Sequence, residues 1–312
     1  MTIQPIKGDS LEKAAEALRA GDLVILPTET VYGLAADASN PEAVTKIFEA
    51  KGRPRFNPLI AHVADLEAAE SIAVFDERAR ALAKAFWPGP LTIVAPVKDT
   101  GAVSDLARAG LDSVAIRVPA HETARDLMKL FGGAVVAPSA NRSGRPSPTT
   151  FEDAVEETGA SAGAVVDGGP CAEGVESTVV SILGEQVALL RPGTTTREQL
   201  EAVVGELAVT AEEGHRSPGR LTLHYAPDAP VRINAIDVRD GELMLGFGEG
   251  VGETRWSLSP TGDLREAAAN LFRMLREADR TKPAGIAVSP IPETGLGEAI
   301  NDRLKRAAGF VG

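Results

Sequence analysis

The chain has 312 residues and a formal net charge of −12, because 44 acidic residues outnumber 32 basic ones. This acidic balance opposes broad adhesion to nucleic acid, which depends on neutralising many phosphates. The single cysteine, Cys171, excludes a disulfide within the chain, a zinc ribbon and an iron–sulfur cluster, since each needs several sulfurs.

The hydrophobic content of 44% and the charged content of 24% are typical of ordinary globular proteins, and the length suggests about two domains. No apolar run approaches the roughly 20 residues that a membrane span needs. The N-terminus also lacks the charged-then-apolar layout of a signal peptide. We therefore expect a cytoplasmic protein without a membrane contact.

Strand-like and helix-like segments alternate through the first two-thirds of the chain, which favours an α/β fold. Asp9 or Ser10 can cap a first helix that ends at Gly21, and a buried strand follows at residues 23–26. Asn40 and Pro41 mark a second helix start. Further strands are predicted at residues 59–63, 91–97, 114–118, 134–137, 163–166, 178–183 and 187–190.

A domain boundary is predicted after a helix at residues 197–204, because residues 206–230 contain too many helix and strand breakers for a continuous element. The predicted parts are a first domain (1–205), a linker (206–230) and a smaller α/β domain (231–312). Within the last part we predict strands at 231–238, 243–247 and 285–288, and helices at 263–279 and 297–308.

Lys51, Arg53 and Arg55 place three cations within five residues, on a loop predicted just beyond the second helix. Such a cluster on an acidic protein indicates a bound anion such as phosphate or carboxylate. A solvated helix C-terminus, where cations are also favoured, is the alternative. Charge alone does not separate the two.

Several motifs of nucleotide and metal sites are absent. There is no G-x-x-x-x-G-K-[ST], no H-E-x-x-H and no G-x-S-x-G, and the glycines between residues 246 and 252 do not fit G-x-G-x-x-G. The four histidines have no helical ligand spacing, so we expect no dedicated metal cage. Polar clusters do border the predicted strands, where α/β proteins usually build their sites.

Seven of these segments together resemble the YrdC/Sua5 family of L-threonylcarbamoyladenylate synthases over residues 8–205. They are LPTETVYGL (26–34), KGRP (51–54) with NPL (57–59), WPGPLT (87–92), RVP (117–119), SAN (139–141) with SG (143–144), EST (176–178) and LRPG (190–193). The motifs SPG (217–219) and HYAP (224–227) are similar to the linker of the long, two-domain Sua5 form.

The resemblance implies a YrdC-like twisted mixed sheet with flanking helices, plus a smaller C-terminal α/β (Rossmann-like) domain. It also implies a reaction in which L-threonine, bicarbonate or CO2 and ATP give threonylcarbamoyl-AMP and pyrophosphate. This product serves the threonylcarbamoyladenosine (t6A) modification of tRNA, through a downstream tRNA threonylcarbamoyl transferase. Mg2+ is expected to accompany the ATP. Direct tRNA binding is left open.

The family pattern also assigns site residues by matched position. Threonine is expected to meet Thr30, Tyr32, His62, Arg117, Ser139 and Ser177. ATP is expected to meet Lys51, Arg53, Asn57, Ser113, Asn141, Ser143, Thr149, Arg191 and Tyr225, and Lys51 and Arg53 are the expected catalytic residues. The linker departs from the family pattern at residues 220–223, and we expect it to act as a lid.

Two other functions compete with this one. A non-catalytic RNA-binding or tRNA-processing module would need a basic or aromatic surface, which a net charge of −12 and 4% aromatic residues do not favour. Carbamoyl transfer in hydrogenase maturation uses a similar module, but those enzymes also carry cysteine-rich zinc segments that one cysteine cannot form.

Overall fold

The computed structural model describes residues 8–53, 57–208, 224–249 and 254–309. Arg55, most of the predicted linker and the departing positions 220–223 lie outside the described residues. In the described part, no helix is long and apolar enough to cross a membrane.

The first part of the chain folds into an α/β structure of eight helices and nine strands within the described ranges. These are α1 (Leu11–Arg19), β1 (Leu23–Leu26), β2 (Gly33–Asp37), α2 (Pro41–Lys51), β3 (Ile60–His62), α3 (Leu66–Ile72), α4 (Glu77–Phe86), β4 (Leu91–Pro96), α5 (Asp105–Arg108), β5 (Ser113–Arg117), α6 (Glu122–Phe131), β6 (Val135–Val136), α7 (Phe151–Thr158), β7 (Ala162–Val165), β8 (Thr178–Ser181), β9 (Ala188–Arg191) and α8 (Arg197–Val204).

All nine strands join one sheet in the order β7-β1-β2-β6-β3-β5-β4-β8-β9. The sheet is mixed, since β3 pairs with β5 and β4 with β8 in parallel, whereas β4 and β5 are antiparallel. Most strands are buried along their whole length, as expected for a sheet covered by helices. The predicted mixed α/β sheet is confirmed.

Local sequence explains where the first helices begin and end. The Ser10 side chain accepts a hydrogen bond from the first turn of α1, and Asn40 does the same for α2. Gly52 then ends α2 in a left-handed conformation. Lys51 is therefore the last residue of α2, and the prediction that it lies on the loop beyond the helix is wrong by one residue. Arg53 does lie beyond the helix.

The second part contains β10 (Val231–Arg232), β11 (Glu242–Phe247), β12 (Ser257–Ser259), α9 (Leu264–Arg280), β13 (Gly285–Val288) and α10 (Leu296–Ala307). Its four strands pair in parallel in the order β10-β13-β11-β12. The strand predicted over 231–238 stops at Arg232. Arg232 turns its guanidinium to Glu242 and Asp237, so the following residues fold back around it instead of extending the sheet.

The two parts share apolar contacts rather than standing separately. Val31 and Val175 of the first part belong to the core formed by α9 and α10. Conversely, Leu200 of α8 and Leu207 just after it belong to the core of the large sheet. The buried residues thus place α8 with the first part, and the polar end of the large sheet lies against the second.

Candidate active site

A cavity of about 50 Å3 opens where several strand ends of the large sheet meet the second part. It collects the loop after β1, the ends of β3, β5 and β9, the loop after β6 and the entry to β8. Its lining residues are Thr28, Thr30, Val31, Gly33, Arg53, Pro58, Leu59, Ile60, His62, Arg117, Ala137, Pro138, Ser139, Glu176, Ser177, Arg191, His224 and Tyr225. Three arginines and one carboxylate make it locally cationic in an acidic chain.

His62 and Arg117 lie side by side because they are register partners at the ends of the parallel strands β3 and β5. Arg117 is buried and held from three directions. Its Nε donates to the carbonyl of Gly89 at 3.2 Å and its Nη1 donates to Thr30 Oγ1 at 3.0 Å. Its Nη2 donates to the carboxylate of Glu29. The guanidinium is thus fixed in place before any ligand arrives.

His62 is neutral in this environment. Burial lowers its pKa to about 3, and the nearby charge of Arg117 adds to the effect. Its Nδ1 lies 3.0 Å from the carbonyl oxygen of Ile60, which can only accept, so Nδ1 carries the proton. His62 Nε2 is then a hydrogen-bond acceptor.

Arg191 and Ser177 form another part of the cavity wall. Arg191 Nε and Nη2 donate to the carbonyl of Ser177 at 3.1 and 2.8 Å, and Nη2 lies 3.2 Å from Ser177 Oγ. Ser177 Oγ is also 2.8 Å from Thr92 Oγ1. Burial lowers the pKa of Arg191, although the phenol of Tyr225 opposes that shift. The guanidinium is oriented by backbone, which leaves its charge available to an anion.

Arg53 reaches the cavity from the loop after α2. Its Nη2 is 3.5 Å from the carbonyl of Pro58, a weak contact, and its Nε is buried without a partner among the described residues. Burial lowers its pKa to about 10, and Arg191 adds to the decrease while Tyr225 opposes it. Arg53 is therefore a charged group with unused hydrogen-bonding capacity, which suits an anionic ligand.

Lys51 is not among the residues that line the cavity, and its place at the triphosphate remains a prediction. Its ammonium is buried and donates to the backbone carbonyls of Ser139 and Asn141. Burial lowers its pKa well below the ordinary value, and the charge of Arg53 adds to this. The last turn of α2 thus points Lys51 beneath the loop after β6, so the structure gives it the position of a loop anchor.

The other predicted site residues divide in the same way. Eight of them line the cavity: Thr30, His62, Arg117, Ser139, Ser177, Arg53, Arg191 and Tyr225. Six are not among its lining residues: Tyr32, Asn57, Ser113, Asn141, Ser143 and Thr149. Tyr32 is buried beside Phe151 and its hydroxyl donates to the carbonyl of Gly169 at 2.7 Å. Ser113 begins β5, about 13 Å along the strand from Arg117. The ligand roles predicted for these residues remain predictions.

Asn141 is occupied by the protein itself. Its amide nitrogen donates to the carbonyls of Arg142 and Arg145 at 2.7 and 2.9 Å, and its side-chain oxygen accepts from Ser139 Oγ. The neighbouring Ser143 donates its backbone N–H to the carbonyl of Lys51. The loop 139–145 is consequently a hydrogen-bonded unit, anchored on Lys51, that presents Ser139 to the cavity.

Residues from beyond the first part close the cavity. Tyr225 is buried with a φ of 62°, packs its ring 5.2 Å from that of Phe272, and meets His224 edge-on at 4.0 Å. Burial raises the pKa of Tyr225 to about 12, and the carboxylate of Glu176 adds to this rise. Sequence reasoning assigned Tyr225 to the nucleotide but gave no role to His224.

Three charged residues at this site were not predicted from sequence. Glu29 pairs with Arg117, while Glu176 accepts hydrogen bonds from Ser147 and from Arg303 of α10. Burial would raise the pKa of each carboxyl, but the neighbouring arginines outweigh it and hold both below their ordinary values. The sequence did offer one indication for Arg303, which lies in the apolar stripe of an amphipathic helix. A cation at such a position needs a buried partner of opposite charge.

The described residues contain no group of three or more His, Cys, Asp or Glu side chains placed to hold a metal ion. Glu176 is the carboxylate that lines the cavity, and its two oxygens already accept hydrogen bonds. The arrangement suits two anionic ligands held by arginines, a neutral histidine and hydroxyl groups.

Two family models match this chain. Residues 16–193 match the Sua5/YciO/YrdC family model, which is described as telomere recombination, and residues 195–309 match a model described as the C-terminal domain of threonylcarbamoyl-AMP synthase. The chain belongs to the Sua5/YciO/YrdC family and has the two-domain organisation of its Sua5 members.

Individual relatives cover nearly the whole chain. The threonylcarbamoyl-AMP synthase of Bacillus subtilis is 42% identical, covering 96% of this chain and 93% of its own. The crystal structure of Pyrococcus abyssi Sua5 complexed with L-threonine is 39% identical and superposes with a TM-score of 0.88, covering 98% and 96% of the two chains. HypF from T. kodakarensis, 20% identical with a TM-score of 0.54, covers 99% of this chain and 37% of its own and shares the fold alone.

Proposed function

We propose that this chain is an L-threonylcarbamoyladenylate synthase, which converts L-threonine, bicarbonate and ATP to threonylcarbamoyl-AMP and pyrophosphate. The observation that carries the proposal is that His62, Arg117, Arg53 and Arg191 line the same cavity. Similarity to proteins named threonylcarbamoyl-AMP synthase over nearly the full length supports the same reading.

Threonine is assigned to the Arg117 side of the cavity. A guanidinium binds a carboxylate through parallel hydrogen bonds, and Arg117 is already held in place by Thr30 and Gly89. His62 Nε2 accepts a hydrogen bond from the amino acid. With a pKa of about 3, His62 is an acceptor and not a general base at neutral pH. The solved relative with L-threonine supports an amino-acid site in this fold.

The chemistry needs two bonds to form. The amine of threonine adds to CO2 and loses a proton, or condenses with bicarbonate and releases water, to give a carbamate. A carbamate oxygen then attacks the α-phosphorus of ATP, and the bond from that phosphorus to pyrophosphate breaks. Negative charge grows on the phosphate oxygens in the second step, where Arg53 and Arg191 stabilise it. No protein nucleophile is required, so catalysis rests on alignment and electrostatics.

Nucleotide entry requires this site to open. A volume of about 50 Å3 holds a few waters, whereas pockets for ligands of this size enclose roughly 300 Å3 or more. Tyr225 belongs to the linker and forms part of the cavity wall, and its left-handed backbone is unfavourable for a residue other than glycine. We assign the linker 206–230 the role of a lid that releases Tyr225 when ATP enters.

Magnesium is proposed to enter with ATP. Mg2+ prefers phosphate oxygens and water over an all-protein cage, and the described residues offer no cluster of protein ligands. No step above depends on a protein ligand to the metal. The residues named here act by binding threonine, holding the triphosphate and excluding water.

The product is proposed to feed the t6A modification of tRNA through a separate threonylcarbamoyl transferase, in the cytoplasm. The test of the activity is pyrophosphate release from ATP and bicarbonate, measured with and without L-threonine. Release that depends on threonine is the expected result. Pyrophosphate release that is equal without threonine would reject the synthase and favour an enzyme that hydrolyses ATP to AMP and pyrophosphate. Binding of tRNA without any turnover would reject it and favour an RNA-binding module.

A further inference from the structure

Arg303 links the second part of the chain to the active site. It lies on α10 and is fully buried; it pairs with Asp302 of the same helix, and its other hydrogen bonds go to the first part. Its Nε donates to Glu176 Oε2 at 2.9 Å and its Nη1 donates to the carbonyl of Pro192 at 2.8 Å. Glu176 lines the cavity, so Arg303 connects α10 to a carboxylate of the cavity wall.

A buried arginine at the position of Arg303 on α10 would destabilise the fold if it had no partner of opposite charge. The buried face of α10 also carries Ile300, Leu304 and Ala307, which are apolar. A guanidinium in such a stripe loses its hydration and is tolerated only when it is paired. Its carbon Cζ is also 5.6 Å from the ring centre of Tyr225. One side chain from the second part therefore contacts two residues of the cavity wall.

The charge on Glu176 explains why this contact matters for a phosphate ligand. Burial raises the pKa of Glu176, but Arg303 and Arg191 outweigh that effect and hold it below its ordinary value. The carboxylate is therefore negative, in a wall where anionic phosphates are proposed to bind. Without Arg303, this charge would repel the triphosphate and compete with it for Arg191.

We propose that Arg303 is a positioning residue for the nucleotide: it neutralises and orients Glu176 so that Arg191 stays available to the phosphates. The proposal rests on the function proposed above and extends the nucleotide site to the second domain. Arg303 acts through Glu176 and does not itself line the cavity.

A second buried arginine offers a matched control. Arg276 of α9 donates to the carbonyl of Pro146 and to Glu157 Oε1, both at 2.9 Å, so it too joins the second part to the first through one carbonyl and one glutamate. Neither acceptor lines the cavity. A merely structural role predicts the same behaviour for both arginines, whereas the positioning role predicts a difference at ATP.

The experiment compares Arg303→Met, Arg276→Met, Glu176→Gln and the double variant Arg303→Met/Glu176→Gln in the full chain. KM for ATP and for threonine is measured by pyrophosphate release, and the Kd for ATP by calorimetry. Arg303→Met should raise the KM and Kd for ATP by about tenfold or more, as expected for loss of a charge-assisted contact, and change the KM for threonine by less than about twofold. Arg276→Met should change either KM by less than about twofold.

The double variant provides the sharper readout. Removing the charge of Glu176 should restore the KM for ATP to within about threefold of the parent, because no uncompensated carboxylate remains. Absence of this rescue, or equal effects of Arg303→Met and Arg276→Met, would overturn the proposal. If Arg303→Met does not fold, the double variant is compared with Arg303→Lys instead. The proposal would also be overturned if the double variant bound ATP more than about tenfold more weakly than Arg303→Lys.

The two proposals fail in different ways. A parent protein without threonine-dependent pyrophosphate release contradicts the proposed function, whatever Arg303 does. A parent protein with that activity, together with an Arg303→Met variant of unchanged ATP affinity, contradicts only the role of Arg303.

Discussion

The guanidinium of Arg117 and the carboxylate of Glu29 form a buried ion pair beside the cavity. Because Glu29 comes from the loop after β1 and Arg117 from the end of β5, the pair joins two separate strands at the site. The arginine assigned to the substrate carboxylate is thus already bound to a carboxylate of the protein. Arg117 is therefore expected to contribute both to threonine binding and to the stability of the fold.

Arg117→Met is expected to act on both properties. It should leave Glu29 buried without its cation, which costs about 3–5 kcal/mol of the free energy of unfolding. It should also raise the KM for threonine more than the KM for ATP. The double variant Arg117→Met/Glu29→Gln should recover most of the thermal stability but not the threonine KM, measured by calorimetry and pyrophosphate release. Recovery of both would assign Arg117 a purely structural role.

Arg53 and Lys51 are expected to differ although they lie two residues apart. Arg53→Met should lower kcat/KM for ATP about ten- to a hundredfold, since a charge-assisted contact contributes roughly 1.5–3 kcal/mol. Lys51→Met should chiefly lower the melting temperature, because the carbonyls of Ser139 and Asn141 lose their donor. An unchanged melting temperature with lost turnover in Lys51→Met would instead favour the catalytic role first predicted for Lys51.

The buried histidines predict a loss of stability in acid. Burial lowers the pKa of His62 and of His224 to about 3, below the unfolded value of about 6.5. Between these values the unfolded chain binds protons that the folded chain does not. The contribution of each histidine to the free energy of unfolding is therefore fully present above about pH 6.5 and falls toward pH 3 by about 1.4 kcal/mol per pH unit.

Urea unfolding between pH 4 and 7 measures this slope. His62→Gln should make it shallower, and the kcat/KM profile of the parent should show no inflection near pH 6.5 from His62. A slope that the substitution leaves unchanged would show that His62 titrates normally in the folded protein.

The lid role of the linker predicts protection from protease. Trypsin should cleave after Arg216 or Arg220, and ATP with threonine should slow that cleavage if the segment closes over the loaded site. Cleavage is followed by mass spectrometry, and ATP alone and threonine alone are the controls. Equal rates in all conditions would contradict the lid.

Much of the local structure followed from the sequence because its causes are local. Asn40-Pro41 starts α2 and Gly52 ends it through side-chain capping and a left-handed glycine, and neither depends on the rest of the fold. β2 was missed because Gly33–Asp37 follows a polar motif that resembles a turn, yet it pairs with β1 and β6 inside the sheet. Strand pairing supplied what the local pattern lacked.

The family resemblance placed Arg53, Arg117 and Arg191 in one site, and the structure brings these three arginines into one cavity. Sequence proximity grouped Lys51 with Arg53, whereas the cavity groups Arg53 with Arg117 and Arg191 from distant strands. Gly52 ends α2 in a left-handed conformation between the two cations, so Lys51 in the last helical turn and Arg53 beyond it point to different surroundings.

The amino-acid sequence by itself determined the α/β class, the start of the first helices, the family motifs and eight of the eighteen residues of the cavity wall, because these rest on periodicity, capping and ordered motifs. Only the tertiary structure decided that Lys51 anchors a loop, that Glu29 pairs with Arg117, and that Arg303 reaches Glu176 from α10. Those relationships join residues between 88 and 127 positions apart, and contacts at such separation are fixed by packing and by the pairing of buried charges.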